Sequence, residues 1–113
     1  MLHSAFMGKE GTEEGGKRAM NDTKKRSVFS QAVKKWGVDA QVTMAIEEMA
    51  ELTKELCKLK RQGYTYTDVT IQPLIEEIAD VRLMVDQVAY MFDINGQDMY
   101  DFKLNKIAKR LEV

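Results

Sequence analysis

Two pairs of acidic residues have the type and spacing needed for metal chemistry. Glu48 and Glu51 lie three residues apart, and Glu77 and Asp80 repeat this spacing after 25 intervening residues. Side chains three apart share one face of an α-helix, so each pair would present two carboxylates together. Four carboxylates at one site repel one another and lose hydration, and a bound divalent cation is the simplest compensation. Ligation by oxygen alone favours Mg²⁺, Mn²⁺ or Ca²⁺ over Zn²⁺.

Acidic pairs on helices are often no more than solvated faces, but both of these pairs lie beside an apolar stripe. At about 100° per residue, the stripes consist of Ala45, Met49, Leu52, Leu56 and Leu59, and of Leu74, Ile78, Val81, Val85 and Val88. Each acidic pair lies about 60° and about 120° to the same side of its own stripe. Two such helices packed together would gather four carboxylates at the edge of the core. Because Mg²⁺ usually takes substrate phosphates as ligands, a nucleotide or another polyphosphate is the expected partner.

The composition excludes several other kinds of chemistry. The chain has 113 residues, with one histidine, His3, and one cysteine, Cys57. An intrachain disulfide is therefore impossible, and zinc sites or triads built from Cys and His lack their parts. The single cysteine indicates a reduced, cytoplasmic location. A net charge of -1 gives no reason to expect nucleic acid as a partner, and no apolar run approaches the length of a membrane span.

The chain divides into a predicted flexible tail, residues 1–26, and a helical domain, residues 27–113. The tail holds four glycines and ten charged residues without apolar periodicity. Four helices are predicted in the domain: one capped by Ser27 and ending near Gly37, one from Asp39 to about Arg61, one from Pro73 to about Phe92, and one from Gln97 to about Leu111. Residues 63–72 are predicted to form a loop, because a single strand would have no partner. The expected fold is all-α, a compact antiparallel bundle of about four helices.

The domain is small, and its predicted core is thin. Outside the apolar stripe, the second helix carries a further apolar arc formed by Ile46, Ala50, Thr53 and Cys57. This surplus predicts that the chain forms a homo-oligomer.

The residues Glu47-Glu48-Met49-Ala50-Glu51 and Glu77-Ile78-Ala79-Asp80 follow the pattern E-E-x-x-E … E-x-x-D. This pattern resembles the MazG family of all-α nucleoside triphosphate pyrophosphohydrolases, whose relatives include dimeric dUTPases and phosphoribosyl-ATP pyrophosphohydrolase. The similarity covers about residues 28–111. Trp36-Gly37, Gln41, Ala50, Leu52 and Val81 fit the resemblance as well.

The resemblance implies an enzyme that cleaves an NTP or dNTP to NMP and pyrophosphate with Mg²⁺, for which Mn²⁺ would substitute. Its metal ligands map to Glu48, Glu51, Glu77 and Asp80, the same four residues that helical phase selects. Glu47 matches the first glutamate of the motif and is interpreted as a helper in water activation. The catalytic carboxylates implied by the resemblance are then Glu47, Glu48 and Glu51.

Cations that could bind phosphate occur on two of the predicted helices. Lys103, Lys106 and Arg110 share one face of the last helix, where family members often place phosphate ligands. The alternative for these residues is a solubilising surface. Lys54 follows Glu51 by three residues, and both salt bridging and phosphate contact are open to it. For the base, Trp36 is the candidate, with Phe29 and Met44 as weaker ones and ordinary core packing as the alternative.

Other functions stay open at the level of sequence. A narrower enzyme of the same kind, dUTPase-like or a phosphoribosyl-ATP pyrophosphohydrolase, is one alternative, and a non-catalytic helical interaction protein is another. The resemblance implies a homodimer or homotetramer. It does not predict which base or sugar is preferred.

Overall fold

The computed structural model of the chain describes residues 18–113 and is entirely helical in that range, with no strand. Its helices are α1 (Asp22–Trp36), α2 (Val38–Arg61), α3 (Gln72–Met91) and α4 (Gln97–Leu111). The prediction of an all-α fold with four helices is therefore confirmed. Residues 1–17 of the predicted tail lie outside the described residues.

Helix α1 begins earlier than its sequence suggested. Its cap is Asn21, whose side-chain Oδ1 accepts a hydrogen bond of 2.8 Å from the Lys24 backbone N–H, so residues 22–26 are helical and Ser27 is internal. Both Asn21 and Ser27 are good caps, but Asp22 after Asn21 also complements the helix dipole. Gly37 ends α1 with φ 89°, a conformation that favours glycine, and its N–H bonds the Val33 carbonyl at 2.8 Å.

Helices α2 and α3 form an antiparallel hairpin. Residues 62–71 connect the two helices, in agreement with the loop predicted at residues 63–72. The chain turns at Gly63 and Tyr64, which both have positive φ. Hydrogen bonds between Thr67 and Thr70 close a second turn, and Pro73 lies in the first turn of α3. Proline is tolerated there because its missing N–H would have no partner within the helix.

On both hairpin helices, the side that is buried differs from the predicted apolar stripe and lies closer to the acidic residues. The buried residues are Gln41, Met44, Ala45 and Glu48 on α2, Met84 and Gln87 on α3, and Phe29 and Ala32 on α1. In contrast, Met49 and Leu56 of the first stripe, and Ile78 and Val85 of the second, leave 44% to 54% of their surface exposed. Four of the ten residues expected in the core are thus exposed.

Helix α1 packs across the open end of the hairpin, whereas α4 stands apart. Phe29 lies against Tyr90 with ring centroids 5.8 Å apart, and the Lys25 ammonium pairs with the Asp86 carboxylate at 3.2 Å. Within residues 18–113, α4 packs against none of the other three helices and has no buried residue.

Among the described helices, none combines the length and the apolar character that crossing a membrane requires.

Candidate metal centre

Three carboxylates from the two hairpin helices converge at one point. Glu48, Glu77 and Asp80 each offer an oxygen atom, and these oxygens all lie within 4.8 Å of one another. Glu48 comes from the middle of α2 and is wholly buried, while the other two lie one turn apart on α3 and are half-buried. The antiparallel hairpin therefore brings together three of the four residues predicted as metal ligands.

The chemistry of this carboxylate trio fits a hard divalent cation. All three donors are oxygens, and the full burial of Glu48 makes its negative charge costly unless positive charge lies nearby. Opposite ligands lie about 4.2 Å apart across Mg²⁺ and roughly 5 Å apart across Ca²⁺, given their usual bond lengths. No two of the trio's oxygens are more than 4.8 Å apart, so Glu48, Glu77 and Asp80 are close enough together to ligate one ion of this class.

The two remaining predicted acids flank the trio. Glu51 lies one turn beyond Glu48 on α2 and is exposed, so it is not a member of the converging set. Glu47 is half-buried, and its Oε1 is buried without a hydrogen-bond partner among the described residues. The predicted roles of the two residues are unchanged by these positions. Glu47 is the candidate for proton transfer, and Glu51 is the candidate fourth metal ligand.

The predicted phosphate ligands are not gathered around the trio within one chain. Lys54 is exposed on α2, one turn beyond Glu51. Lys103, Lys106 and Arg110 are exposed on α4, which does not pack on the hairpin within the described range. A single chain therefore presents the carboxylates and the α4 cations on separate surfaces.

Trp36, the predicted base contact, also lies apart from the trio. It is half-buried at the end of α1, and the Lys35 ammonium lies 5.3 Å from the centroid of its ring. Trp36 lines a shallow cleft of about 410 Å³ to which none of the three acids contributes. Phe29 and Met44, the weaker candidates, are buried in the core.

A buried pair of amides, absent from the predicted site, lies two turns from the trio. Gln87 Nε2 donates hydrogen bonds to Gln41 Oε1 at 2.9 Å and to the Phe29 carbonyl at 3.2 Å, and both glutamines are wholly buried. Gln41 precedes Glu48 by seven residues, and Gln87 follows Asp80 by seven. Seven residues are close to two helical turns, so this spacing is the signal that would have placed both amides on the buried face.

The amide pair is only partly satisfied. Gln41 Nε2 and Gln87 Oε1 are buried and have no hydrogen-bond partner among the described residues. A buried polar atom in this condition costs about 1–3 kcal/mol. The amide pair therefore adds little net stability, and its main effect is to fix how α2 aligns with α3.

Comparisons with protein-family models, with curated proteins and with solved structures found no match to this chain. The resemblance to the MazG family accordingly stays a prediction that rests on the two acidic motifs.

Proposed function

We propose that the protein is a Mg²⁺-dependent nucleotide pyrophosphohydrolase that cleaves an NTP or dNTP to NMP and pyrophosphate. The observation that carries this proposal is the convergence of Glu48, Glu77 and Asp80 between two antiparallel helices, with Glu48 wholly buried. Oxygen-only sites of this kind suit Mg²⁺, with Mn²⁺ as a substitute, and Mg²⁺ sites commonly bind substrate phosphates.

Each group has a distinct part in this reaction. Glu48, Glu77 and Asp80 would hold the ion, joined by Glu51 from the next turn of α2. When bound, Mg²⁺ would neutralise phosphate charge and orient the triphosphate for attack. Water forms a bond to the α- or the β-phosphorus as the bond between that phosphorus and the bridging oxygen breaks, which gives NMP and pyrophosphate.

The proton of the attacking water needs an acceptor beside the ion. Glu47 is the best-placed carboxylate, because it is adjacent to Glu48 and its Oε1 is buried without a described hydrogen-bond partner. A positioned carboxylate of this kind acts as a general base. Lys54, Lys103, Lys106 and Arg110 stay the proposed phosphate ligands, and Trp36 stays the proposed base contact.

Two narrower or different functions compete with this proposal. A dUTPase-like enzyme or a phosphoribosyl-ATP pyrophosphohydrolase would use the same carboxylates on one substrate. A non-catalytic helical interaction protein is favoured by a different observation, the exposed apolar residues of α4. For either enzyme we infer a homodimer or homotetramer.

The test is pyrophosphate release from a panel of NTPs and dNTPs that includes dUTP and phosphoribosyl-ATP. Release is measured with Mg²⁺, with Mn²⁺ and with EDTA, for the wild type, for Glu48→Gln and for Glu112→Gln. Glu112 is an exposed glutamate just past the end of α4 and serves as the matched control. We expect metal-dependent release that Glu48→Gln abolishes and Glu112→Gln leaves unchanged.

The pattern across the panel separates the alternatives. Release from one substrate alone supports the narrower enzyme. No release from any nucleotide, together with no metal binding, would overturn the enzymatic proposal and favour the interaction protein.

A further inference from the structure

Helix α4 carries an apolar stripe that nothing in residues 18–113 covers. Tyr100, Leu104, Ile107 and Leu111 follow one another at spacings of four, three and four residues, which places them along one side of the helix. Each leaves 51% to 67% of its surface exposed. An isolated helix of 15 residues is at best marginally stable in water, so α4 needs a partner surface.

The hairpin presents an apolar groove that the described part of the chain also leaves uncovered. The groove has a volume of about 270 Å³ and is lined chiefly by Ala45, Met49, Val81, Met84, Val85 and Val88. Met49 and Val85, both expected in the core, are about half exposed here. The groove therefore offers a small apolar surface that a matching apolar stripe could cover.

We infer that α4 of each chain docks its apolar stripe into the hairpin groove of a second copy, so that two copies exchange their last helices. The inference specifies the surface of the proposed homo-oligomer and does not depend on the proposed hydrolysis. A reciprocal exchange is isologous, because each copy supplies one stripe and one groove.

The two helices that would meet carry opposite net charge, and the groove itself is lined by uncharged residues alone. Helix α3, which forms one wall of the groove, has four acidic residues and one arginine: Glu76, Glu77, Asp80 and Asp86 against Arg82. Helix α4 has four basic and two acidic residues: Lys103, Lys106, Lys109 and Arg110 against Asp98 and Asp101. Asp86 already pairs with Lys25, and Glu77 and Asp80 belong to the carboxylate trio. The opposite net charge therefore favours the approach of α4 to α3 without fixing its register.

The exchange would form the same contact twice in a dimer. Each contact joins the four stripe residues of one α4 to the nine residues that line the groove of the other copy.

The connection before α4 favours a second copy over the chain's own groove. Ile94 N–H bonds the Ala89 carbonyl at 3.0 Å, Asp93 adopts φ 51°, and Asn95 Oδ1 accepts from Gln97 N–H at 2.8 Å. These interactions hold the start of α4 at the rim of its own groove, which Ile94 and Gly96 help to line. They would have to rearrange before α4 could fold back onto the same hairpin.

Light scattering of the full chain gives the first test. We expect the wild type to have at least twice the 13.0 kDa mass of one chain, and Leu104→Glu/Ile107→Glu to fall to a single chain mass. Val85→Glu, in the groove, is expected to do the same. Phe102→Glu is the matched control, because Phe102 is also an exposed apolar residue but lies on the opposite side of α4. Far-ultraviolet circular dichroism checks that each variant still forms helices.

Cysteine cross-linking distinguishes a second copy from folding back. In a Cys57→Ser background, Val85→Cys and Ile107→Cys are combined in one chain and oxidised. A covalent dimer on a non-reducing gel is the expected result. A cross-linked monomer would show that α4 covers its own groove, and a monomeric wild type without any cross-link would show that the groove has no such occupant. Either result overturns the inference, and neither measurement involves nucleotide, so the proposed hydrolysis is tested separately.

Discussion

Gln87 Nε2 lies 2.9 Å from Gln41 Oε1, and this hydrogen bond joins the first turns of α2 to the last turns of α3. Seven residues further along α2 is Glu48, and seven residues back along α3 is Asp80. Two helical turns, about 10 Å, therefore separate the amide pair from the carboxylates on both helices at once. The bond between the amides fixes the same alignment of the helices that makes the carboxylates converge.

The two buried amides should be energetically coupled, so that removing both costs less stability than the sum of the two single removals. Gln87→Leu leaves Gln41 buried without its donor, at an expected cost of about 1–3 kcal/mol in the free energy of unfolding. In Gln41→Leu/Gln87→Leu no buried amide of this pair is left, so the loss should be smaller than the sum of the single losses. Urea unfolding gives the free energy of unfolding of Gln41→Leu, of Gln87→Leu and of the double variant. Gln31→Leu, at an exposed position on α1, should change stability by no more than about 0.5 kcal/mol. Strictly additive losses would contradict the coupling.

Divalent metal should stabilise the fold through the carboxylate trio. An ion that binds only the folded chain raises the free energy of unfolding by about 2.7 kcal/mol at a hundred times its Kd. We expect Mg²⁺ and Mn²⁺ to raise the Tm of the wild type and of Glu112→Gln. Glu48→Gln and Asp80→Asn should lose this increase, because each removes one negatively charged ligand. A wild-type Tm that is the same in metal and in EDTA would exclude the proposed ion.

Glu47 should affect catalysis without affecting metal binding. If its carboxylate accepts the proton of the attacking water, Glu47→Gln should lower kcat by about 10²- to 10⁴-fold. The rise in Tm with Mg²⁺ should persist in this variant, because Glu47 is not one of the three converging ligands. Steady-state pyrophosphate release and thermal unfolding measure the two effects. Should Glu51→Gln show this combination instead, Glu51 and not Glu47 is the proton acceptor.

The cations on one face of α4 should contribute to nucleotide binding. Lys106→Ala removes a charge-assisted contact to phosphate, and such contacts contribute about 1.5–3 kcal/mol. Each 1.4 kcal/mol changes an equilibrium constant about tenfold, so KM should rise by roughly tenfold or more. Lys109→Ala is the matched control, since Lys109 lies on the same helix but outside the face shared by Lys103, Lys106 and Arg110. Equal effects of the two variants would mean that only the overall charge of α4 matters.

The sequence predicted most of the helical boundaries because local chemistry sets them. The backbone ends a helix or is restricted locally, whatever the tertiary packing, at Gly37, Pro73 and Asn95-Gly96. Helix α4 was predicted at its observed bounds, and the end of α2 at Arg61 as well. The start of α1 was missed, since Asn21 and Ser27 are equally acceptable caps on sequence alone.

The carboxylate trio was also predictable in part. The spacing of Glu48, Glu77 and Asp80 follows from helical periodicity, and an antiparallel pairing of neighbouring helices was enough to bring them together. The separation of Glu51 and Trp36 from the trio depends on how the helices pack, which spacing along one helix does not determine.

Four helices, their order and the acidic residues that share a face of each hairpin helix all follow from local sequence patterns. Which face is buried depends on tertiary packing, because α2 and α3 each carry two faces with enough apolar residues to pack. The hairpin buries Met44, Glu48 and Met84 and leaves Met49 and Val85 exposed. The separation of α4 from the other three helices likewise appears only in the tertiary structure of residues 18–113. Periodicity describes one helix at a time, whereas burial is a property of the pair of surfaces that meet.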